Sequence, residues 1–192
     1  MLKPKIILIG GGGHCVAAID VIELENKFEI IGILDVDEKK GDKVLDYEII
    51  GNDNSLKKFN AKDVFFLITV GQIKSYLPRQ KISQKLKNKN VAKIISPLAY
   101  VSKHACIDIG TIIMHNVVIN AKATIGKHCI INTKSNIEHG AVIGDLCHIS
   151  TGAIINGDTL VGNGSFIGSN ATLSNNINIM KGSVVSAGKF IK

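Results

Sequence analysis

The sequence lacks the features of several protein classes. Its 192 residues contain no tryptophan, and aromatic residues make up only 5% of the chain. No run of 18 or more apolar residues occurs, so no membrane-spanning helix is predicted. The start, MLKPKIILIGGGGH, has glycines where a signal peptide needs a long apolar stretch and a cleavage site. We therefore expect a soluble, cytoplasmic protein with no stable membrane insertion.

The sequence gives little support for a metal site, for disulfide bonds or for nucleic-acid binding. The histidines are scattered, and the cysteines show no C-x-x-C spacing, so neither a metal site nor disulfides are predicted and the cysteines are expected to be small buried residues. The net charge of +7 comes with lysines spread over residues 39–103 rather than in one dense basic run. The charge therefore favours an anionic small molecule over nucleic acid. The cysteines are Cys15, Cys106, Cys129 and Cys147.

The first half of the chain alternates between β and α patterns. Residues 5–10 form an apolar run that ends in glycines, and a stretch with helical spacing follows. Further strands are predicted over 28–35 and 63–71, and a lysine-rich helix over about 74–89. This order predicts a Rossmann-like α/β domain over residues 1–94, with a parallel sheet covered by helices.

From Ile95 the period of the sequence changes to six. An aliphatic residue recurs seventeen times without a gap, from Ile95 to Ile191, and a small residue nearly always follows it by four positions. Aliphatic side chains can fill the inside of each flat side of a triangular coil, and small residues beside the corners let the chain turn. Stacked coils then bury one continuous apolar column. Residues 95–192 are therefore predicted to form a parallel β-helix.

Four segments together resemble one branch of the hexapeptide-repeat acyltransferases: GGGGH at 10–14, LD at 34–35, VGQ at 70–72 and NTKSNIEHGAVIG at 132–144. This branch contains the N-acetyltransferases of nucleotide-linked 4-amino sugars and the sialic acid O-acetyltransferases. The resemblance implies a left-handed β-helix with eighteen residues per coil. It also implies a homotrimer with active sites between subunits, acetyl-CoA as co-substrate, and a nucleotide-sugar substrate, UDP- or dTDP-linked.

The resemblance assigns the catalytic groups. His139 matches the general base, a role that suits a histidine near neutral pH. Glu138, the residue before it, is a candidate to hold the imidazole tautomer and raise its basicity, although adjacent strand residues point to opposite faces. Gly140 stands where many members carry an acid. Gly157, one coil after His139, matches a glycine associated with stabilising the oxyanion. The alternatives are that His139 decorates an exposed side of the coil and that Gly157 only relaxes a turn.

Other positions match sites for the coenzyme. Ser169 and Ala187 match coenzyme-contacting positions, and they lie in a column of small residues that would leave a groove for a pantetheine arm. His148 matches a residue that approaches the acetyl group. Because it lies half a coil from His139, the two are expected to meet across a subunit interface. A structural histidine is the alternative for His148.

The glycine turn of the N-terminal domain is expected to bind the sugar nucleotide. Unpaired N–H groups and the dipole at a helix N-terminus favour phosphate, and an acid at the end of the second strand suits a ribose or a base. For Gly71 and Arg79, the last two residues of the predicted set, the alternatives are a plain loop and a solvated helix. The set is Gly12, Gly13, His14, Asp35, Gly71 and Arg79.

These residues predict acetyl-CoA-dependent N-acetylation of a nucleotide-linked 4-amino-4,6-dideoxy sugar, a precursor of bacterial surface glycans, by direct transfer and without a metal. O-acetylation of sialic acid or a related nonulosonic acid remains an alternative. A non-catalytic trimer that binds sugar nucleotides is a second alternative, favoured by Gly140.

Overall fold

The computed structural model describes residues 2–59 and 64–192. The N-terminal domain is a six-stranded sheet of order β3-β4-β2-β1-β5-β6, parallel except for the β3–β4 pair. Helices α1 (Gly13–Glu25) and α2 (Leu77–Lys85) accompany it, with short 3₁₀ helices at 37–39 and 53–58. The strands are β1 (Lys5–Ile9), β2 (Glu29–Leu34), β3 (Lys43–Val44), β4 (Tyr47–Gly51), β5 (Val64–Ile68) and β6 (Asn90–Val91).

The predicted α/β pattern is confirmed, with shorter elements than expected. The run KIILI forms β1, which lies between β2 and β5 and is buried except at its first residue. The second predicted strand loses one residue at each end. The third ends at Ile68 rather than Gly71, and its expected start at position 63 lies outside the described residues. The sequence interpretation did not include β3, β4 or β6; β3 and β6 have only two residues each and lie at the sheet edges, and β4 lies next to the edge strand β3.

The hexads form a parallel β-helix of two-residue strands arranged in three sheets. Every predicted aliphatic position is the second residue of its strand, and each residue pairs with the one eighteen positions later, as Ile113 does with Ile131. One sheet contains β7 (Ile94–Ile95), β10 (Ile112–Ile113), β13 (Ile130–Ile131), β16 (His148–Ile149), β19 (Phe166–Ile167) and β22 (Val184–Val185). The second contains β8 (Tyr100–Val101), β11 (Val118–Ile119), β14 (Asn136–Ile137), β17 (Ile154–Ile155), β20 (Thr172–Leu173) and β23 (Phe190–Ile191). The third contains β9 (Cys106–Ile107), β12 (Thr124–Ile125), β15 (Val142–Ile143), β18 (Leu160–Val161) and β21 (Asn178–Ile179).

The corners of the coils recur every six residues. From residue 110 to residue 188, the third residue after each inward aliphatic side chain has a positive φ. Six of these positions are glycine, and others are Asn or Asp, which tolerate the left-handed region better than most residues. Asp158 (φ 56°), Asn170 (φ 56°) and Asn176 (φ 58°) are three examples. The residue that follows a corner is small and buried at most of these positions, as at Ala141 and Ala153, whereas Lys189 is large and exposed.

The two domains share one hydrophobic core. The outward side chains of Ile94 and Ile112 on the first sheet are fully buried and belong to the same cluster as Ile19 and Ile22 of α1. This sheet of the β-helix is therefore covered at its start by the N-terminal domain. Within the described residues, no helix is long and apolar enough to cross a membrane.

Three of the four cysteines are buried, as predicted. Cys106 is the exception and is exposed. It is the first residue of its two-residue strand, and first residues point outward, whereas Cys129 and Cys147 occupy the small inward position beside a corner.

Candidate active site

His139 lies on the surface of the β-helix directly after β14, with 64% of its side chain exposed. Its ring lies against the next coil: a Cβ atom placed on Gly157 would be 2.6 Å from His139 Cε1 and 2.8 Å from Nε2. The same Cβ would be 3.2 Å from Asn175 Nδ2, one coil further on. The predicted stack of His139, Gly157 and Asn175 is therefore present, and any side chain at 157 would displace the imidazole.

The backbone N–H of Gly157 is unpaired within the described residues, although the residue itself is buried. Its carbonyl accepts a hydrogen bond from Asn176 N at 3.0 Å, whereas its N–H has no acceptor within residues 2–59 and 64–192. Other N–H groups in this column are also unpaired, so the stack itself does not distinguish Gly157. Its distinguishing feature is the missing side chain, which lets the imidazole lie directly against this buried residue, whose N–H is an unpaired donor. Such a donor can stabilise an oxyanion.

Acidic groups near His139 are not placed as the sequence suggests. Both oxygens of Glu138 are engaged elsewhere, since they accept hydrogen bonds from Asn120 Nδ2 at 2.7 Å and Asn136 Nδ2 at 2.8 Å. The carboxylate that approaches His139 belongs to Asp158, whose Oδ2 is 4.0 Å from His139 Nδ1. Sequence reasoning missed Asp158, although its position eighteen residues after Gly140 could have indicated it.

His148 is buried at the junction of the two domains rather than exposed to a ligand. Its side chain packs edge-on against Phe166, and the residue is 8% exposed. Nδ1 donates to the carbonyl of Gln72 at 2.5 Å, so Nε2 carries the lone pair that accepts from Asn132 Nδ2 at 3.2 Å. Burial lowers the pKa of His148 to about 4. Within this chain His148 is a neutral structural histidine, which was the alternative interpretation of the sequence.

The predicted coenzyme positions lie one coil apart on the surface. Ser169 is half-buried, and its Oγ is 2.9 Å from Ser150 Oγ, while Ala187 is exposed. They continue a column with Thr133, which is half-buried, and Thr151, which is exposed. The column of small side chains is thus accessible from solvent, as a groove for a linear ligand requires.

The glycine turn leads into α1 as predicted. Gly12 is the N-cap of α1 and Gly13 its first residue; neither would bring an added Cβ within 4 Å of another atom, and α1 has neither a capping side chain nor an acid in its first turn. A Cβ on Gly71 would lie 3.6 Å from His14 Cβ, so these two residues meet at the same sheet edge. Burial and the charge of Arg79 lower the pKa of His14 to about 3, so His14 is neutral there.

Asp35 lies in a cavity of about 480 Å³ at the carboxyl ends of β1 and β2. Its carboxylate accepts hydrogen bonds from Gly11 N at 2.7 Å, Val36 N at 2.8 Å and Lys39 Nζ at 3.3 Å. Burial works to raise its pKa, but these donors hold the pKa below its usual value. The rest of the cavity combines apolar residues, such as Ile9 and Leu34, with polar and mostly acidic ones, such as Asp37, Glu38 and Asp53.

Arg79 is not a ligand-facing residue, and the prediction for it is wrong. It is completely buried, and its guanidinium donates to the carbonyls of Ile68 at 3.2 Å, Val70 at 2.5 Å and His128 at 2.7 Å. Burial lowers its pKa to about 10, so it stays charged at neutral pH. The lysine-rich composition of α2 suggested a solvated helix, but the face that carries Arg79 is turned toward the β-helix.

The described residues contain no group of three or more His, Cys, Asp or Glu side chains that could hold a metal ion. The transfer chemistry considered for the site needs none, since a base and an oxyanion donor suffice. Independence from metal stays a prediction.

Known acetyltransferases are similar to this chain. Residues 5–86 match the family described as the PglD N-terminal domain. The acetyltransferase domain of PglB from Neisseria gonorrhoeae superposes with a TM-score of 0.92 at 26% identity, over 99% of this chain and 92% of that one; it is also known with acetyl coenzyme A bound. A variant of perosamine N-acetyltransferase from Caulobacter crescentus, with one histidine changed to asparagine, superposes with a TM-score of 0.91 at 26% identity, over 98% of this chain and 88% of that one.

That perosamine enzyme variant is in complex with CoA and GDP-perosamine. A curated relative, the uncharacterised protein L142 of Acanthamoeba polyphaga mimivirus, is 36% identical over 105 residues, or 55% of this chain. The chain spans a fifth of the length of that relative. The structural likenesses confirm the predicted fold: an α/β domain followed by the left-handed β-helix of the acetyltransferases.

Proposed function

We propose that this chain, an acyltransferase of the hexapeptide-repeat superfamily related to nucleotide-linked amino-sugar N-acetyltransferases, transfers an acetyl group from acetyl-CoA to the amine of a nucleotide-diphosphate-linked 4-amino-4,6-dideoxy sugar. One observation carries the proposal. The exposed imidazole of His139 lies directly on Gly157, whose N–H is free, so a base and an oxyanion donor are adjacent.

The proposed reaction is a direct transfer. The uncharged amine attacks the thioester carbonyl carbon while His139 removes a proton from the amine nitrogen. Negative charge then develops on the carbonyl oxygen, where the Gly157 N–H can donate a hydrogen bond. When the tetrahedral intermediate collapses, the carbon–sulfur bond breaks and the imidazolium returns its proton to the leaving thiolate. The products are the acetamido sugar nucleotide and CoA, and no covalent enzyme intermediate forms.

Binding of the sugar nucleotide divides between two features of the N-terminal domain. The open N-terminus of α1 at Gly12 and Gly13 suits the diphosphate, because it offers N–H groups and the positive end of the helix dipole. The acidic cavity around Asp35 repels phosphate and instead accepts hydrogen bonds from the base or the ribose. His14 and Gly71 border the turn and complete the proposed site; UDP and dTDP remain the proposed carriers, with GDP as the third.

A homotrimer is part of the proposal. The second and third sheets of the β-helix expose apolar side chains to solvent, and a neighbouring subunit would cover them. A subunit interface beside His139 would also exclude water from the reacting groups, and the coenzyme arm would lie along the column of Ser169 and Ala187. The exposed side chains are Tyr100, Val118, Val142, Ile154 and Leu160, which are 36–60% exposed. We place the reaction in the cytoplasm, where acetyl-CoA is available, as a step toward bacterial surface glycans.

The test is CoA release from acetyl-CoA, followed as free thiol, with UDP-, dTDP- and GDP-linked 4-amino sugars beside free sialic acid. Turnover on one amino sugar, which His139→Asn lowers by about 10²- to 10⁴-fold, is the expected result. CoA binding should persist in that variant, as it does in the perosamine enzyme with one histidine changed to asparagine. Turnover on sialic acid alone would instead indicate O-acetylation. No CoA release with any acceptor, with sugar-nucleotide binding intact, would favour a non-catalytic trimer.

A further inference from the structure

The acid that many relatives carry directly after the catalytic histidine is absent from the sequence, because Gly140 follows His139. The structure brings a carboxylate to the same place from the next coil. A Cβ atom on Gly140 would be 2.0 Å from Asp158 Oδ1, so the space that a side chain at 140 would enter is already filled by Asp158. The Asp158 backbone N–H also donates to the carbonyl of His139 at 3.0 Å, which ties the two coils together at this point.

Stacking of the coils does not require a charge at position 158. The same arrangement recurs at Gly152, where a Cβ would be 2.3 Å from Asn170 Oδ1. Asn170 has the same φ of 56° as Asp158, and its N–H donates to the preceding coil in the same way. An amide therefore serves the fold at that corner. The evident difference at 158 is the neighbouring imidazole, since Asp158 Oδ2 is 4.0 Å from His139 Nδ1.

We propose that Asp158 is the positioning residue of His139 and takes over the role of the missing following acid. Its carboxylate accepts the Nδ1 proton of the imidazole and so leaves the lone pair on Nε2, the nitrogen that lies against Gly157. The 4.0 Å separation is longer than a hydrogen bond, and both side chains are more than half exposed, so rotation of the side chains closes it. Catalytic hydrogen bonds commonly shorten when substrate binds.

Other groups around the imidazole do not compete for this role. Gly157 and Asn175 are uncharged, and the carboxylate of Glu138 is held by the amides of Asn120 and Asn136. Among the described residues, Asp158 is the acid in ion-pair range of His139.

The first test is Asp158→Asn, which keeps the side-chain shape that Asn170 already shows to be compatible with the corner. We expect kcat to fall at least tenfold with little change in the KM for acetyl-CoA and in the Tm. Asp108→Asn is the matched control: it removes an exposed β-helix carboxylate that is bonded to the Ile109 N–H, and kcat should stay unchanged. A wild-type kcat in Asp158→Asn would overturn the assignment, as would a fall that only follows a loss of Tm.

Returning the acid to its usual place gives a sharper test. The double variant Gly140→Asp/Asp158→Gly moves the carboxylate back to the residue after His139 and removes the clash, and aspartate tolerates the φ of 69° at that corner. Turnover should recover to within a few-fold of wild type. A folded double variant that stays as slow as Asp158→Asn would contradict the proposal.

The kinetic readouts rest on the proposed function, whereas the ring tautomer does not. The ¹⁵N shifts of the His139 ring, assigned by their absence from His139→Asn, should show a proton on Nδ1 in wild type and a shift toward Nε2–H in Asp158→Asn. If wild type turned over no acceptor, the proposed function would fail, but this spectrum would still test whether Asp158 sets the tautomer of His139. An unchanged tautomer would overturn the role of Asp158.

Discussion

Replacing Gly157 with alanine tests the proposed roles of His139 as base and of Gly157 as oxyanion donor. Gly157 does not have a left-handed φ, so alanine suits its backbone, but the new Cβ would be 2.6 Å from His139 Cε1. Ordinary contact between such atoms begins near 3.4 Å, so the ring must move by roughly 0.8 Å. A misplacement of about 1 Å costs about 10²-fold in rate. We therefore expect kcat to fall about a hundredfold in Gly157→Ala.

Stability should change little in this variant. The imidazole is 64% exposed, so it can swing into solvent without disturbing the core, and the expected change in the free energy of unfolding is at most about 1 kcal/mol. The assay is thiol release at saturating acetyl-CoA, with Tm and CoA binding measured on the same preparation. A wild-type kcat in Gly157→Ala would refute the reasoning, because it would mean that the ring position set by the stack is irrelevant to turnover.

Two further predictions concern the junction between the domains. Arg79→Met leaves the carbonyls of Ile68, Val70 and His128 without their donor, so it should destabilise the fold by about 3 kcal/mol, measured by urea unfolding; an unchanged midpoint would contradict this. The pKa of His148 is about 4 in the fold and near 6.5 when unfolded, so the unfolded state binds more protons between those values and stability is lost as pH falls from 6.5 toward 4. At pH 5.5 this amounts to roughly 1 kcal/mol. His148→Gln should reduce the slope without abolishing it, because burial also lowers the pKa of His14 to about 3 and that of His128 to about 4; equal slopes for both proteins would exclude His148 as a contributor.

The sequence predicts the β-helix better than it predicts the α/β domain. The period of six depends on one repeated constraint, an aliphatic side chain inside every flat side, and each of the predicted positions from Ile95 to Ile191 obeys it. In the N-terminal domain the strand ends depend on contacts between segments far apart in the chain, such as the pairing of β1 with β5. Local patterns do not carry those contacts, which is why the predicted boundaries differ by a few residues.

The candidate site residues also differ in how well the sequence predicts their positions. The column of His139 and Gly157 follows from the eighteen-residue coil, because stacked positions can be counted along the sequence. Arg79 could not be judged that way: a helix with several lysines predicts a solvated arginine, and only the docking of α2 against the β-helix shows that it is buried. Asp158 is intermediate, since coil counting places it beside Gly140, but the direction of its carboxylate comes from the structure alone.

Two successive residues couple the proposed nucleotide site to the coil that carries the base. Gly71 borders the glycine turn beside His14, and Gln72, the next residue, donates its side-chain amide to the carbonyl of Leu146 at 2.8 Å and accepts from His148 Nδ1 with its backbone oxygen. Leu146 and His148 lie in the half-coil that follows His139. Hydrogen bonds made by Gln72 therefore tie the turn at Gly71 to this half-coil. The neutral state of His148 matters for this coupling, because an unprotonated Nε2 is needed to accept from Asn132 on the preceding coil.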